Sequence, residues 1–222
     1  MNRRSVRIPA GAVDLDADVA VPEDVRAVVA FAHGSGSTRH SPRNRYVADV
    51  LEAADLATVL ADLLTAEEEA VDARTGEHRF DIELLAARVV ALVDWAATQP
   101  DLGGARGLGL FGASTGAAAA LVAAARRPQA VGAVVSRGGR PDLAGDTLGE
   151  VRQPTLLIVG GRDEVVLDLN RQAMPQLAGE ARLEVVPGAT HLFEQPGTLE
   201  QVAALARDWF VSHLSPSGVA VT

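Results

Sequence analysis

A serine set among small residues, Gly112-Ala113-Ser114-Thr115-Gly116, stands between an apolar run, Leu108 to Phe111, and an Ala-rich stretch, Thr115 to Arg127. The pattern is G-x-S-x-G at a strand-to-helix junction. So tight a turn holds the serine in a strained backbone conformation. The glycines allow an approach of strand and helix that a Cβ would block, and the helix aims its first N–H groups at a developing oxyanion. Ser114 is therefore a candidate nucleophile, although the segment alone also reads as a small-residue turn capped by Ser114. Asp163 follows the apolar run Thr155 to Val159, and His191 follows Leu183 to Val186. An imidazole beside the serine is a general base, and an acid behind it fixes the tautomer and stabilises the imidazolium. Taken singly, His191 reads as a loop histidine and Asp163 as a turn residue or helix cap. Glu164 and Asp168 are alternative acids. Each of the three stands after a separate apolar run, in the order Ser114, Asp163, His191, and together they read as a catalytic triad.

A second backbone donor to the oxyanion, beside the N–H of Thr115, is expected from His33-Gly34-Ser35-Gly36-Ser37-Thr38. Ser35 is the expected donor, with Gly34 and Gly36 close behind, and His33 is expected to hold the loop. Arg39 and Arg43 follow this loop, and Arg137 stands just past the run Val131 to Val135. A guanidinium there could fork onto a substrate carboxylate or phosphate, or could simply cap a helix or face solvent. Arg39 and Arg137 are thus candidate substrate-binding residues, with Gly34 and Gly36.

These residues need a scaffold that collects loops at one edge. Residues 5–8 and 13–21 read as an antiparallel hairpin turned at Gly11. Val28 to Ala32 reads as a buried strand, residues 43–54 as a helix with Tyr46, Val47, Val50 and Leu51 on one face, and Thr58 to Leu60 as the start of a strand. Asp81 to Gln99 is the clearest helix. The strands at 108–111, 131–135, 155–159 and 183–186 then alternate with helices at 115–127, 166–177 and 199–213. This order predicts an α/β fold: a mostly parallel, doubly wound sheet with helices on both faces. The chain is expected to form one domain, 1–222, with an ordered core of about 4–214 and a frayed tail at 215–222. The acidic stretch from Thr65 to Arg79 is expected to be a solvated helix face. Only residues 137–153 separate two late strands, so little or no cap should cover the site.

Composition narrows the chemistry further. The 222 residues carry a net charge of −9, which disfavours nucleic acid and anionic membranes as partners. There is no cysteine, and all 20 basic residues are arginine. Thiol nucleophiles, cysteine-based metal sites, Schiff bases and a P-loop lysine are therefore excluded. No run approaches the ~20 apolar residues of a spanning helix. A cytoplasmic protein acting on a small molecule is expected, monomeric or homodimeric.

With HGSGS at 33–37, SPRN at 41–44, GASTG at 112–116, GRD at 161–163 and GATH at 188–191, the chain resembles an α/β-hydrolase of the dienelactone-hydrolase-like group over roughly residues 25–213. The resemblance implies an α/β-hydrolase fold, hydrolysis of esters or lactones through an acyl-enzyme, and no metal or organic cofactor. Members proper use a cysteine nucleophile; here a serine takes that place, so the dienelactone substrate does not carry over. Thioesterase, peptidase and acyltransferase activities use the same triad, and a non-catalytic binding protein could share the fold. Gly107 to Gly112 also matches G-x-G-x-x-G, but its glycines fall inside the apolar run, and no acid for a ribose follows the next strand.

Overall fold

Alternation within the apolar runs builds strands buried on both faces. In β3 (Ala27–Ala32), Val28, Ala30 and Ala32 join one core while Ala27, Val29 and Phe31 join the other. The computed structural model describes residues 1–102 and 107–214. The remaining strands are β1 (Asn2–Ala10), β2 (Val13–Val21), β4 (Leu56–Ala61), β5 (Leu108–Ala113), β6 (Val131–Arg137), β7 (Thr155–Gly160) and β8 (Ala181–Val186). They form one sheet in the order β1-β2-β4-β3-β5-β6-β7-β8. β1, β2 and β4 pair antiparallel, and every pair from β4 to β8 is parallel. The expected hairpin is present, with Gly11 at φ 74° in its turn.

The helices are α1 (Pro42–Glu52), α2 (Ala66–Thr75), α3 (Ile82–Thr98), α4 (Thr115–Arg126), α5 (Glu164–Ala173) and α6 (Thr198–Leu214). α1 and α6 cover one face, and α3 and α4 the other. α4 is buried from Thr115 to Ala124, which its alanines permit by letting it lie close to the sheet. The chain leaves β3 toward β4 on one side and returns to β5 on the other. The carboxyl ends of β3 and β5 therefore frame the crevice where such sheets bind ligands. Between β6 and β7 runs a short 3₁₀ segment, Pro141–Glu150, and no cap is inserted there.

Two local readings change. Tyr46, expected on the apolar face of α1, is 38% exposed, because Val47, Ala48 and Leu51 fill that face. The acidic stretch is only partly solvated: Glu68 closes the capping box of α2 with Thr65 and pairs with Arg88 at 2.8 Å. The glycines of the G-x-G-x-x-G match serve packing, since a Cβ at Gly109 would lie 2.6 Å from the Phe210 ring. The expected tail at 215–222 lies outside the described residues. Among the described residues no helix is long and apolar enough to cross a membrane.

Candidate active site

β5 ends at Ala113 and α4 begins at Thr115, so Ser114 alone makes the turn. Its backbone sits at φ 52°, ψ −122°, and its hydroxyl does not cap the helix. Strain of this kind persists only where the surroundings enforce it. Here the Ser114 N–H donates to Arg137 O (3.3 Å), and Ser114 O accepts from the N–H groups of Ala117 and Arg140 (3.1 Å each). The approach of strand, helix and loop is set by glycines: a Cβ at Gly112 would meet Ala117 Cα at 2.4 Å, and one at Gly116 would meet Ala32 O at 2.2 Å. Thr115 opens α4, so its N–H has no intrahelical acceptor and points out of the positive end of the helix.

The ends of β7 and β8 bring Asp163 and His191 together. The Gly161 N–H donates to Val186 O and the Arg162 N–H to Ala189 O, each at 2.9 Å. His191 Nδ1 then lies 2.6 Å from Asp163 Oδ2, and Asp163 makes no side-chain cap to α5. That contact decides between helix cap and imidazole partner. The alternative acids stand apart: Asp168 pairs with Arg171 at 3.1 Å, and Glu164 is exposed. The His191 ring packs 3.4 Å from where a Cβ of Gly138 would stand. Residues 138–140 thus link Ser114, bonded to Arg140, with His191, packed on Gly138. Among the described residues no group bonds Ser114 Oγ.

The loop after β3 is fixed by His33, which is buried. Its Nε2 accepts from the Leu63 N–H (2.9 Å), so Nδ1 carries the proton and donates to Gly34 O (3.0 Å). Burial holds its pKa below the ordinary histidine value. The Ser37 N–H closes a turn onto Gly34 O at 3.2 Å, with Gly36 at φ 63°. Gly34 lies against the elbow, where its Cβ would be 2.9 Å from Ser114 Cβ. Ser35 is exposed, with Oγ 3.2 Å from Thr115 Oγ1 and 3.4 Å from Arg79 O. A clamp that the sequence did not reveal stands behind this contact. Asp72 accepts from the N–H groups of His78 (2.8 Å) and Arg79 (2.9 Å) and from Arg79 Nε (2.9 Å). Burial alone would raise the Asp72 pKa, but these donors outweigh it and hold it below the usual carboxylate range.

The arginines part company. Arg39 binds the Asp62 carboxylate through both its N–H (2.6 Å) and its guanidinium, so its charge is compensated. Arg137 is buried instead of facing solvent, with Nη2 3.3 Å from Asn44 Oδ1 and the guanidinium carbon 6.0 Å from the Phe193 ring centroid. Burial, reinforced by the charge of Arg43, pushes its pKa down to about 10. Asn44 and Phe193 were not singled out by sequence, although Asn44 closes the SPRN segment. Among the described residues no group of three or more His, Asp or Glu could hold a metal ion.

A minimally capped, mostly parallel sheet with an elbow serine after its central strand defines an α/β-hydrolase fold. Residues 15–212 match the model of the dienelactone hydrolase family, and the chain belongs to that family. A dienelactone hydrolase from Anabaena variabilis is 54% identical and superposes with a TM-score of 0.93, over 96% of this chain and 98% of that one. XC6422 from Xanthomonas campestris, described as an α/β serine hydrolase without lid, shares the fold at 20% identity and a TM-score of 0.75, over 97% of this chain and 96% of its own. A Mycobacterium tuberculosis protein, Rv0571c, provisionally named a phosphoribosyl transferase, is 61% identical over 216 residues. Those residues are 96% of this chain and 48% of that protein, so the chain spans about half the length of this curated relative.

Proposed function

We propose that the protein is a serine hydrolase of small esters, lactones or thioesters. Ser114 Oγ attacks the carbonyl carbon, and His191 Nε2 takes its proton. The N–H groups of Thr115 and Ser35 receive the oxyanion. His191 returns the proton to the leaving group, and water then hydrolyses the acyl-enzyme with His191 again as base. Asp163 holds Nδ1 protonated and stabilises the imidazolium. Base-to-nucleophile contacts of this kind tighten in the substrate complex. The observation that carries the reading is the strained Ser114 turn at a helix N-terminus, in the same molecule as a 2.6 Å Asp163–His191 contact. Losing one oxyanion donor would cost roughly 3 kcal/mol of transition-state stabilisation.

The phosphoribosyl transferase name belongs to a protein about twice as long. A cytoplasmic location and a small-molecule partner belong to the same proposal; the net charge of −9 disfavours nucleic acid and anionic membranes as partners.

The test is hydrolysis of p-nitrophenyl esters from acetate to decanoate, with Ser114→Ala and fluorophosphonate labelling alongside. Activity lost in the variant, with label on Ser114, supports the reading. Activity that survives Ser114→Ala, or a wild type that is inactive and unlabelled, overturns it.

A further inference from the structure

Among the described residues one buried cation, Arg137, has no counter-ion. Arg137 ends β6 beside Ser114, is 8% exposed, and donates only to the neutral Asn44 amide oxygen, while its Nε has no partner. The comparably buried Arg88 is paired with Glu68 at 2.8 Å. The charge that acts on Arg137 is of the same sign: Arg43, whose own Nε is also buried and unpartnered. Among the described residues neither arginine pairs with a carboxylate. Arg43 stands in the first turn of α1, which contains no acid, although the positive end of a helix favours one. A cleft of about 360 Å³ opens beside Arg43, lined also by Tyr46, Phe193, Leu199 and two carboxylates, Glu194 and Glu200. Burying unpaired charge is costly, and like charges at a helix N-terminus add to that cost. An anion bound there removes it.

We propose that Arg43 and Arg137, with Asn44 and the N-terminus of α1, form an anion subsite beside Ser114, and that the substrate is an ester carrying a phosphate monoester. Two uncompensated guanidinium groups match a group of charge −1.5 to −2 with several acceptor oxygens better than a single carboxylate. The phosphate is a handle and keeps its bonds. The bond broken is the acyl C–O bond, whose alcohol leaves with the proton His191 took from Ser114. This chemistry rests on the hydrolase reading; the anion site does not.

Inorganic phosphate is the first probe, titrated into the 222-residue chain at constant ionic strength. Wild type should bind it and melt at a higher temperature, as a ligand of the native state requires. Arg43→Met, a change on the half-exposed side of the pair, should abolish that shift. Next, kcat/KM is compared for a phosphorylated ester, the same ester with a free hydroxyl, and a carboxylate analogue. The phosphorylated ester should lead, and its advantage should fall about 10- to 100-fold in Arg43→Met. Arg137→Met should act in the same direction, read as that ratio so that any loss common to all substrates cancels. No phosphate-induced shift, a shift that survives Arg43→Met, or equal preference for the carboxylate analogue would each overturn the proposal. Arg43-dependent phosphate binding without Ser114 reactivity would leave the anion site standing and remove the hydrolase reading. Ser114 reactivity without phosphate binding would do the reverse.

Discussion

Ser114 occupies a backbone conformation that a glycine would adopt without strain. Its φ of 52° and ψ of −122° lie outside the regions open to residues with a Cβ. Such a conformation costs about 1–3 kcal/mol. Ser114→Gly releases it, while the wider freedom of glycine in the unfolded chain takes back about 0.5–1 kcal/mol. The proper comparison is with Ser114→Ala, which also lacks the hydroxyl but keeps the Cβ. Ser114→Gly should therefore be the more stable of the two by about 1 kcal/mol, raising Tm by about 2–4 °C in a chain of this size. Thermal and urea unfolding read the difference, and p-nitrophenyl acetate hydrolysis should be lost in both. A glycine variant that melts at or below the alanine variant would show that the elbow holds no releasable strain. The argument that a serine is kept there for chemistry, against its own conformational preference, would then fail.

Further expectations follow from single contacts. Gly116→Ala would set a Cβ 2.2 Å from Ala32 O and 2.5 Å from His33 O, both backbone atoms, so α4 or the loop after β3 must shift. The cost should be about 1–3 kcal/mol with lost activity; Gly149→Ala, with nothing within 4 Å, is the control, and equal melting of the two would contradict the packing argument. Asp163→Asn should lower kcat by about 10⁴ while leaving the fold intact, and a loss below about tenfold would remove Asp163 from its role. His33 gives a pH dependence of defined sign. Its folded pKa lies below the ordinary 6.5, so its neutral form stabilises the fold fully above pH 6.5, and that contribution is lost as pH falls below it. Urea unfolding of His33→Gln should show a shallower decline of stability from pH 6.5 downward, by up to about 1.4 kcal/mol per pH unit. A slope identical to wild type would refute this.

Local pattern carried much of the architecture. Strand and helix positions followed from periods of two and 3.6 residues, and G-x-S-x-G between them placed Ser114 at the elbow. Glycine spacing gave the close approach, because a backbone contact that excludes a Cβ leaves a mark at one position. Asp163 and His191 were visible only by standing after strands. Whether Asp163 capped α5 or held an imidazole was decided by the pairing of β7 with β8, which ties the two loops together. The arginines were not separable in sequence at all. Arg39 lies in the loop after β3 and Arg137 ends β6, yet Asp62 neutralises the first from 23 residues away, while the second hydrogen-bonds the neutral Asn44, 93 residues away. The Asp72–Arg79 clamp behind Ser35 was hidden in the same way. Periodicity is written residue by residue along the chain. Charge compensation depends on which side chains the sheet order brings within a few ångströms, and no spacing in the sequence encodes that.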